Sequence, residues 1–145
     1  MAEAFQITGI CSVAVQVTNL DRSLAFYRDV LGLHLVHRDG WIAQLQGRGT
    51  TSPTLVLLEL GERAGSHYTG TPGLARVAWQ VGRQGDLDLA EHLLESQGLP
   101  HQRRREDGGD IVDTRDPDRT HVLLVWLDAA QLAGERLPPR LYTYD

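Results

Sequence analysis

One unit, present twice, constrains this chain more than any other feature. Its first copy runs from Ser12 to Gly32 and reads as a strand, a cap, a helix and a glycine stop. Strict alternation puts Val13, Val15 and Val17 on one face of the strand, with Ser12, Ala14 and Gln16 on the other. Asn19 is placed to cap the helix, which carries Leu20, Leu24, Tyr27 and Leu31 at helical spacing, widened by Phe26 and Val30. Gly32 stands where a left-handed residue closes a helix. The unit is a strand with a helix laid over its valine face. The second copy begins with Val77-Ala-Trp-Gln-Val81, matching Val13-Ala-Val-Gln-Val17, and ends with Gln97-Gly-Leu99, matching Leu31-Gly-Leu33. Between them Leu87, Ala90 and Leu94, flanked by Leu89 and Leu93, make a second amphipathic helix after Asp86. A repeat this long indicates a duplicated module of about half the chain.

The 145 residues are enough for one domain with a proper core. No apolar run approaches the length of a membrane span, and the N-terminus lacks the basic and apolar regions of a secretion signal. The lone Cys11 excludes an intrachain disulfide and a cysteine-based zinc site, and fits a reducing cytoplasm. All 14 basic residues are arginine, so lysine Schiff-base chemistry is excluded. A formal charge of −5 disfavours nucleic acid. Arg103-Arg-Arg105 is the sole basic run, and it reads as a solvated connection neutralised by Glu106, Asp107 and Asp110.

In chain order the expected elements of module one, about 8–60, are strand 8–17, helix 21–31, strand 33–37, strand 41–46 and strand 55–60. Arg38–Gly40 is a turn and 47–53 a loop. In the last strand Leu55, Leu57 and Glu59 face one way. A linker covers 61–73. Module two, about 74–127, has strand 74–81, helix 86–97, and strands 99–105, 110–115 and 121–127, followed by a tail from 128 to 145. Each module is thus β-α-β-β-β.

The stretch Asn19-Leu-Asp-Arg-Ser-Leu-Ala-Phe-Tyr-Arg-Asp-Val-Leu-Gly-Leu33 resembles the first-helix signature of the vicinal oxygen chelate superfamily, which includes glyoxalases, extradiol dioxygenases and bleomycin-resistance proteins. Asp113 to Leu124 resembles its closing signature, a strand, an Asp-Pro-Asp-Gly turn and a last strand. The resemblance covers residues 8 to about 127. It implies an α+β chain of two tandem β-α-β-β-β modules, the glyoxalase/bleomycin-resistance/dioxygenase fold, whose sheets curve into cups. It does not fix an activity, because the fold hosts several chemistries.

The resemblance also implies where a divalent metal would be held, at Ser12, Glu59, Arg76 and Leu123. Metal-dependent members place His, Gln or Glu at three or four of these positions. Here only Glu59 is of that kind, Leu123 offers no lone pair and Arg76 brings a fixed positive charge. No divalent metal and no other cofactor is therefore expected. In the cup, Arg76 either presents donors to a ligand or makes a structural pair with Glu59. His121 shares a strand face with Leu123 and Val125 and looks into the cup. His34 and His37, three apart on one strand, are expected on opposite faces, which denies them a shared ligand role. His67, His92 and His101 read as surface residues.

Ala14, Gln16, Leu55, Leu57, Ala78, Gln80 and Val125 line either an apolar pocket with two amides at its edge or a filled core, and Trp41 borders it. The expected ligand-binding set is Ser12, Gln16, Trp41, Leu57, Glu59, Arg76, Gln80, His121 and Leu123. Tyr142 and Tyr144 either close the cup over a planar ligand or form a loose end. The reading is a cytoplasmic homodimer that binds a small, planar or aromatic organic molecule, in the manner of drug-sequestering resistance proteins. It expects neither nucleic acid nor membrane as a partner. The alternative is an enzyme, a lyase, isomerase or extradiol-type dioxygenase, with a non-standard metal site or metal-free acid–base work by Glu59 and His121.

Overall fold

The computed structural model of the protein describes residues 10–48, 54–61, 74–106, 108–128 and 141. The chain divides into two compact units, Met1–Ala64 and Gly65–Asp145. The division falls inside the stretch read above as a linker.

Unit one contains β1 (Ser12–Val17), α1 (Leu20–Leu24), a π-helical turn (Ala25–Val30), β2 (His34–Asp39), β3 (Ile42–Gln46) and β4 (Thr54–Glu59). Asn19 caps α1, its side-chain oxygen accepting the N–H of Arg22 at 2.9 Å. The π turn is an unforeseen widening in which the N–H of Leu31 reaches the carbonyl of Phe26, five residues back. It lets the consecutive residues Phe26 and Tyr27 both turn inward and be buried. Gly32 then adopts φ +76°, its N–H bonding to the carbonyl of Arg28 four residues back and the N–H of Leu33 to that of Tyr27, so a left-handed glycine closes the widened helix.

The sheet order is β1-β4-β3-β2, with β1 parallel to β4 and the other pairs antiparallel. Val13, Val15 and Val17 stand opposite Leu55, Leu57 and Glu59, so these six share one face. Ala43 and Leu45 join it through their pairing with Leu57 and Leu55. On this face Val15, Val17, Ala43, Leu45, Leu55 and Leu57 are buried, together with Leu20, Leu24, Phe26 and Tyr27 of the helix. It is the helix face.

Unit two repeats the plan with β5 (Arg76–Gln80), α2 (Gly85–Ser96), β6 (His101–Glu106), β7 (Gly109–Arg115) and β8 (His121–Leu127), in the order β5-β8-β7-β6. The helix starts before Asp86, whose carboxylate accepts the N–H of Arg83 at 3.2 Å. Gly98 takes φ +67°, its N–H bonds to the carbonyl of Glu95 and that of Leu99 to the carbonyl of Leu94, so the second stop also uses a left-handed glycine and closes as a Schellman motif. Val77 and Trp79 pair with Val122 and Leu124, which pair in turn with Thr114 and Val112. Leu87 and Leu94 of α2 are fully buried, as are Val112 and Val122.

Three local expectations change. Arg38 and Asp39 belong to β2, and the turn is Gly40–Trp41, so Trp41 is outside the strand and 58% exposed. The basic run 103–105 is an inner part of β6, and not a solvated connection. Arg103 is held between the carboxylates of Asp110 (2.6 Å), Glu91 (2.7 Å) and Asp88 (2.8 Å). A register shift between Leu35 and His37 sets His34 opposite Gln46 and His37 opposite Gln44, which places both histidines on one face.

Candidate functional site

The face of each sheet turned away from its helix carries the side chains left over from the core. In unit one β1 contributes Ser12, Ala14 and Gln16, all exposed, and their partners on β4 are Thr54, Val56 and Leu58. Gln44 and Gln46 of β3 continue this face, with Gln46 donating to the hydroxyl of Thr54 at 3.1 Å. His34 and His37 complete it. An open hollow lined by Arg28, Leu33, His34, Leu35, Gln46 and Arg48, with Gly32 and Gly47, takes in part of this face.

Leu57 and Glu59 are not there. Sequence reading set them in the cup with Ser12 and Gln16, whereas their register with Val15 and Val17 sends them to the helix face. Leu57 is fully buried in the core. The Glu59 carboxylate accepts the N–H of Leu20 at 2.7 Å, satisfying a donor at the start of α1. Glu59 is therefore not a far-face residue.

In unit two the far face is built in cross-strand rows. Arg76, His121 and Arg115 form one row, followed by Ala78, Leu123, Asp113 and Gln102, and then by Gln80, Val125, Ile111 and Arg104. Arg76, Gln80, His121 and Leu123 are thus brought onto one surface, as the sequence implied. Its middle is a filled apolar floor, in which Ile111, Leu123 and Val125 are buried and Leu127 and Leu141 pack on them. Leu141 precedes Tyr142; both Tyr142 and Tyr144 lie outside the described residues.

The polar feature of this face is a pair. His121 Nε2 lies 2.5 Å from Asp113 Oδ1, and the side chains are only 11% and 14% exposed. Burial pushes the imidazole below its ordinary pKa; Asp113 pulls it up, and Arg115 and Arg76 push it down. The neutral ring that results donates Nε2–H to the carboxylate and keeps the Nδ1 lone pair as an acceptor. Such a ring can accept a hydrogen bond or a proton from a ligand. Asp113 and Arg115 went unnoticed in the sequence, although both follow from folding residues 109–127 into a hairpin about the Asp116–Thr120 turn. Arg104 was hidden inside the basic run.

Among the described residues no group of three or more His, Cys, Asp or Glu side chains is placed to hold a metal ion, and no described helix is long and apolar enough to cross a membrane.

The sequence profile of the glyoxalase/bleomycin resistance protein/dioxygenase superfamily matches residues 9–123. Among curated proteins none matches significantly. Many solved structures do. A glyoxylase/bleomycin resistance protein/dioxygenase domain from Frankia sp. EAN1pec has a TM-score of 0.73 at 22% identity, over 85% of this chain and 100% of that one. A lactoylglutathione lyase from Agrobacterium tumefaciens has a TM-score of 0.67 at 23% identity, over 89% and 98%. A glyoxalase/dioxygenase from Nostoc punctiforme has a TM-score of 0.71 at 15% identity, over 88% and 99%. At these identities the likeness is one of fold.

Proposed function

The chain belongs to the glyoxalase/bleomycin resistance protein/dioxygenase superfamily, and from that premise we propose that it binds a small organic molecule on the far face of unit two, without a catalytic divalent metal. What carries the reading is the chemistry at the four positions that resemblance aligns with the family's metal ligands. Ser12 offers one exposed hydroxyl. The Glu59 carboxylate is turned to the helix and engaged by Leu20 N–H. Arg76 is a permanent cation, and Leu123 is a buried hydrocarbon. A divalent ion held tightly enough for catalysis needs several converging lone pairs, and this set does not fit one.

A binding protein needs shape and complementary polarity, and no bond-making group. The partly exposed Leu127 and Leu141 at the edge of the apolar floor, with Gln80, His121 and Arg76 on the same face, suit a planar or aromatic molecule held as drug-sequestering resistance proteins hold theirs. A homodimer in the cytoplasm completes the proposal. Strands β1 and β5 end their sheets, and an edge strand invites cover by a second copy.

The test is metal analysis by mass spectrometry on protein purified without chelator or tag. A second sample is incubated with iron, nickel, manganese and zinc and then desalted. The expected result is far less than one ion per chain, with thermal stabilisation by planar aromatic compounds. Near-stoichiometric retention would overturn the reading. A second reading, metal-free acid–base catalysis, is favoured by the Asp113–His121 pair alone: a neutral imidazole oriented by a carboxylate is a competent general base. Glu59 drops out of that reading because it faces the helix.

A further inference from the structure

Alternation along β6 splits three consecutive arginines. Arg103 and Arg105 pair with Val112 and Asp110 on the helix face, where Arg103 is enclosed by carboxylates and Arg105 stands exposed, 3.8 Å from Asp110. Arg104 pairs with Ile111 and so is the member of the run that turns to the far face. Its Nη2 donates to Gln102 Oε1 at 2.7 Å, but its Nε–H is buried and has no hydrogen-bond partner. A buried guanidinium donor without an acceptor is an incomplete site, because the group has left water and gained nothing in exchange. Its cross-strand neighbour Ile111 belongs to the buried Ile111–Leu123–Val125 cluster, against which the partly exposed Leu127 and Leu141 pack. The three far-face rows described above carry the cations Arg76, Arg104 and Arg115 and the carboxylate of Asp113, which is engaged by His121.

We infer that the ligand of this face is an amphipathic carboxylate, its acid group received by the Nε–H edge of Arg104 and its apolar body laid against Leu127 and Leu141. The inference rests on the small-molecule reading and gives that ligand its charge. Guanidinium is suited to the role because it meets a carboxylate with parallel donors in a fixed plane. A neutral ligand of the same shape would leave the Nε–H without its anionic acceptor.

The experiment titrates the full chain with 1-naphthoate and, separately, with the neutral 1-naphthamide, following backbone and arginine Nε–H resonances by NMR. The expected result is that 1-naphthoate moves the Arg104 Nε–H signal and binds at least tenfold more tightly than 1-naphthamide. Arg104→Gln removes that difference, and Arg105→Gln, which deletes an equal charge from the other face, leaves it intact. Should Arg104→Gln fail to fold, Arg104→Lys keeps the charge without the fork and is expected to lose most of the preference. Equal binding of the two compounds, or a preference that survives loss of Arg104, overturns the carboxylate inference and leaves small-molecule binding in place. Binding of neither overturns both.

Discussion

The carboxylate of Glu59, at the end of β4, accepts the backbone N–H of Leu20 in the first turn of α1, 39 residues earlier, at 2.7 Å. This bond ties β4 to α1 and makes Glu59 a helix-stabilising residue. Glu59→Ala is expected to cost about 1 kcal/mol of unfolding free energy, the usual effect of removing a side-chain acceptor at a helix start. The variant should leave ligand affinity unchanged. Denaturant unfolding beside a binding titration checks both halves, and a lost affinity with unaltered stability would contradict the placement.

Arg103 and Asp110 make the most enclosed ion pair described in the chain, with the carboxylate 2% and the guanidinium 18% exposed. Gln84 also donates to Asp110, at 3.2 Å. Removing the cation strands a buried carboxylate, so Arg103→Met is expected to cost about 3 kcal/mol. The hydrogen bonds from Arg103 hold the Asp110 carboxyl below the ordinary carboxylate range. A depressed carboxylate contributes stability that is present above its unfolded pKa and lost as pH falls toward the folded one. Unfolding free energy should therefore decline below the ordinary carboxylate range, and Asp110→Asn should flatten that decline. Urea titrations at a series of pH values would show it.

His121 gives a second pH signature. Its imidazole is depressed by burial first, with Asp113 opposing and the two arginines adding to the depression. The neutral ring thus favours the folded state, and this stability fades as pH falls below the ordinary histidine value of about 6.5. Asp113→Asn should lower the His121 pKa further, and Arg76→Gln should raise it. Imidazole NMR titration reads both shifts, and opposite signs would mean that the ring is not placed as described.

Much of this arrangement was legible because it is local. The alternation of Ser12–Val17, the Asn19 cap and the two glycine stops are settled by neighbours in the chain, and the structure has each of them. What depends on pairing was not legible. Leu55-Val-Leu-Leu58 is apolar in both phases, so alternation fixed that Leu57 and Glu59 share a side but not which side; the register with β1 decides that. The shift between Leu35 and His37 belongs to the β2–β3 ladder and leaves no mark in the spacing of the histidines. The Asp113–His121 pair spans a hairpin and needs its register before it can be seen.

Arg119 is where the sequence departs from the Asp-Pro-Asp-Gly turn that it otherwise resembles. Asp116 organises the turn, its Oδ1 accepting the N–H groups of Asp118 at 2.9 Å and Thr120 at 2.8 Å. To bring Thr120 into that position the chain takes φ +68° at Arg119, the left-handed region that side chains disfavour. Glycine removes the clash but loosens the unfolded chain, and the two effects oppose each other. Arg119 contributes only backbone groups to the turn's described hydrogen bonds, its N–H donating to the Asp116 carbonyl at 2.9 Å and its carbonyl accepting from Arg115 at 3.2 Å, and glycine keeps both. Arg119→Gly is therefore expected to raise the unfolding free energy by about 0.5 kcal/mol, the margin by which relief of the left-handed clash exceeds the added chain entropy. Because the turn sets the β7–β8 register, the His121–Asp113 pair should be preserved, so the His121 NMR titration should be unchanged. A loss of stability would show that the Arg119 side chain contributes more than its backbone strain costs.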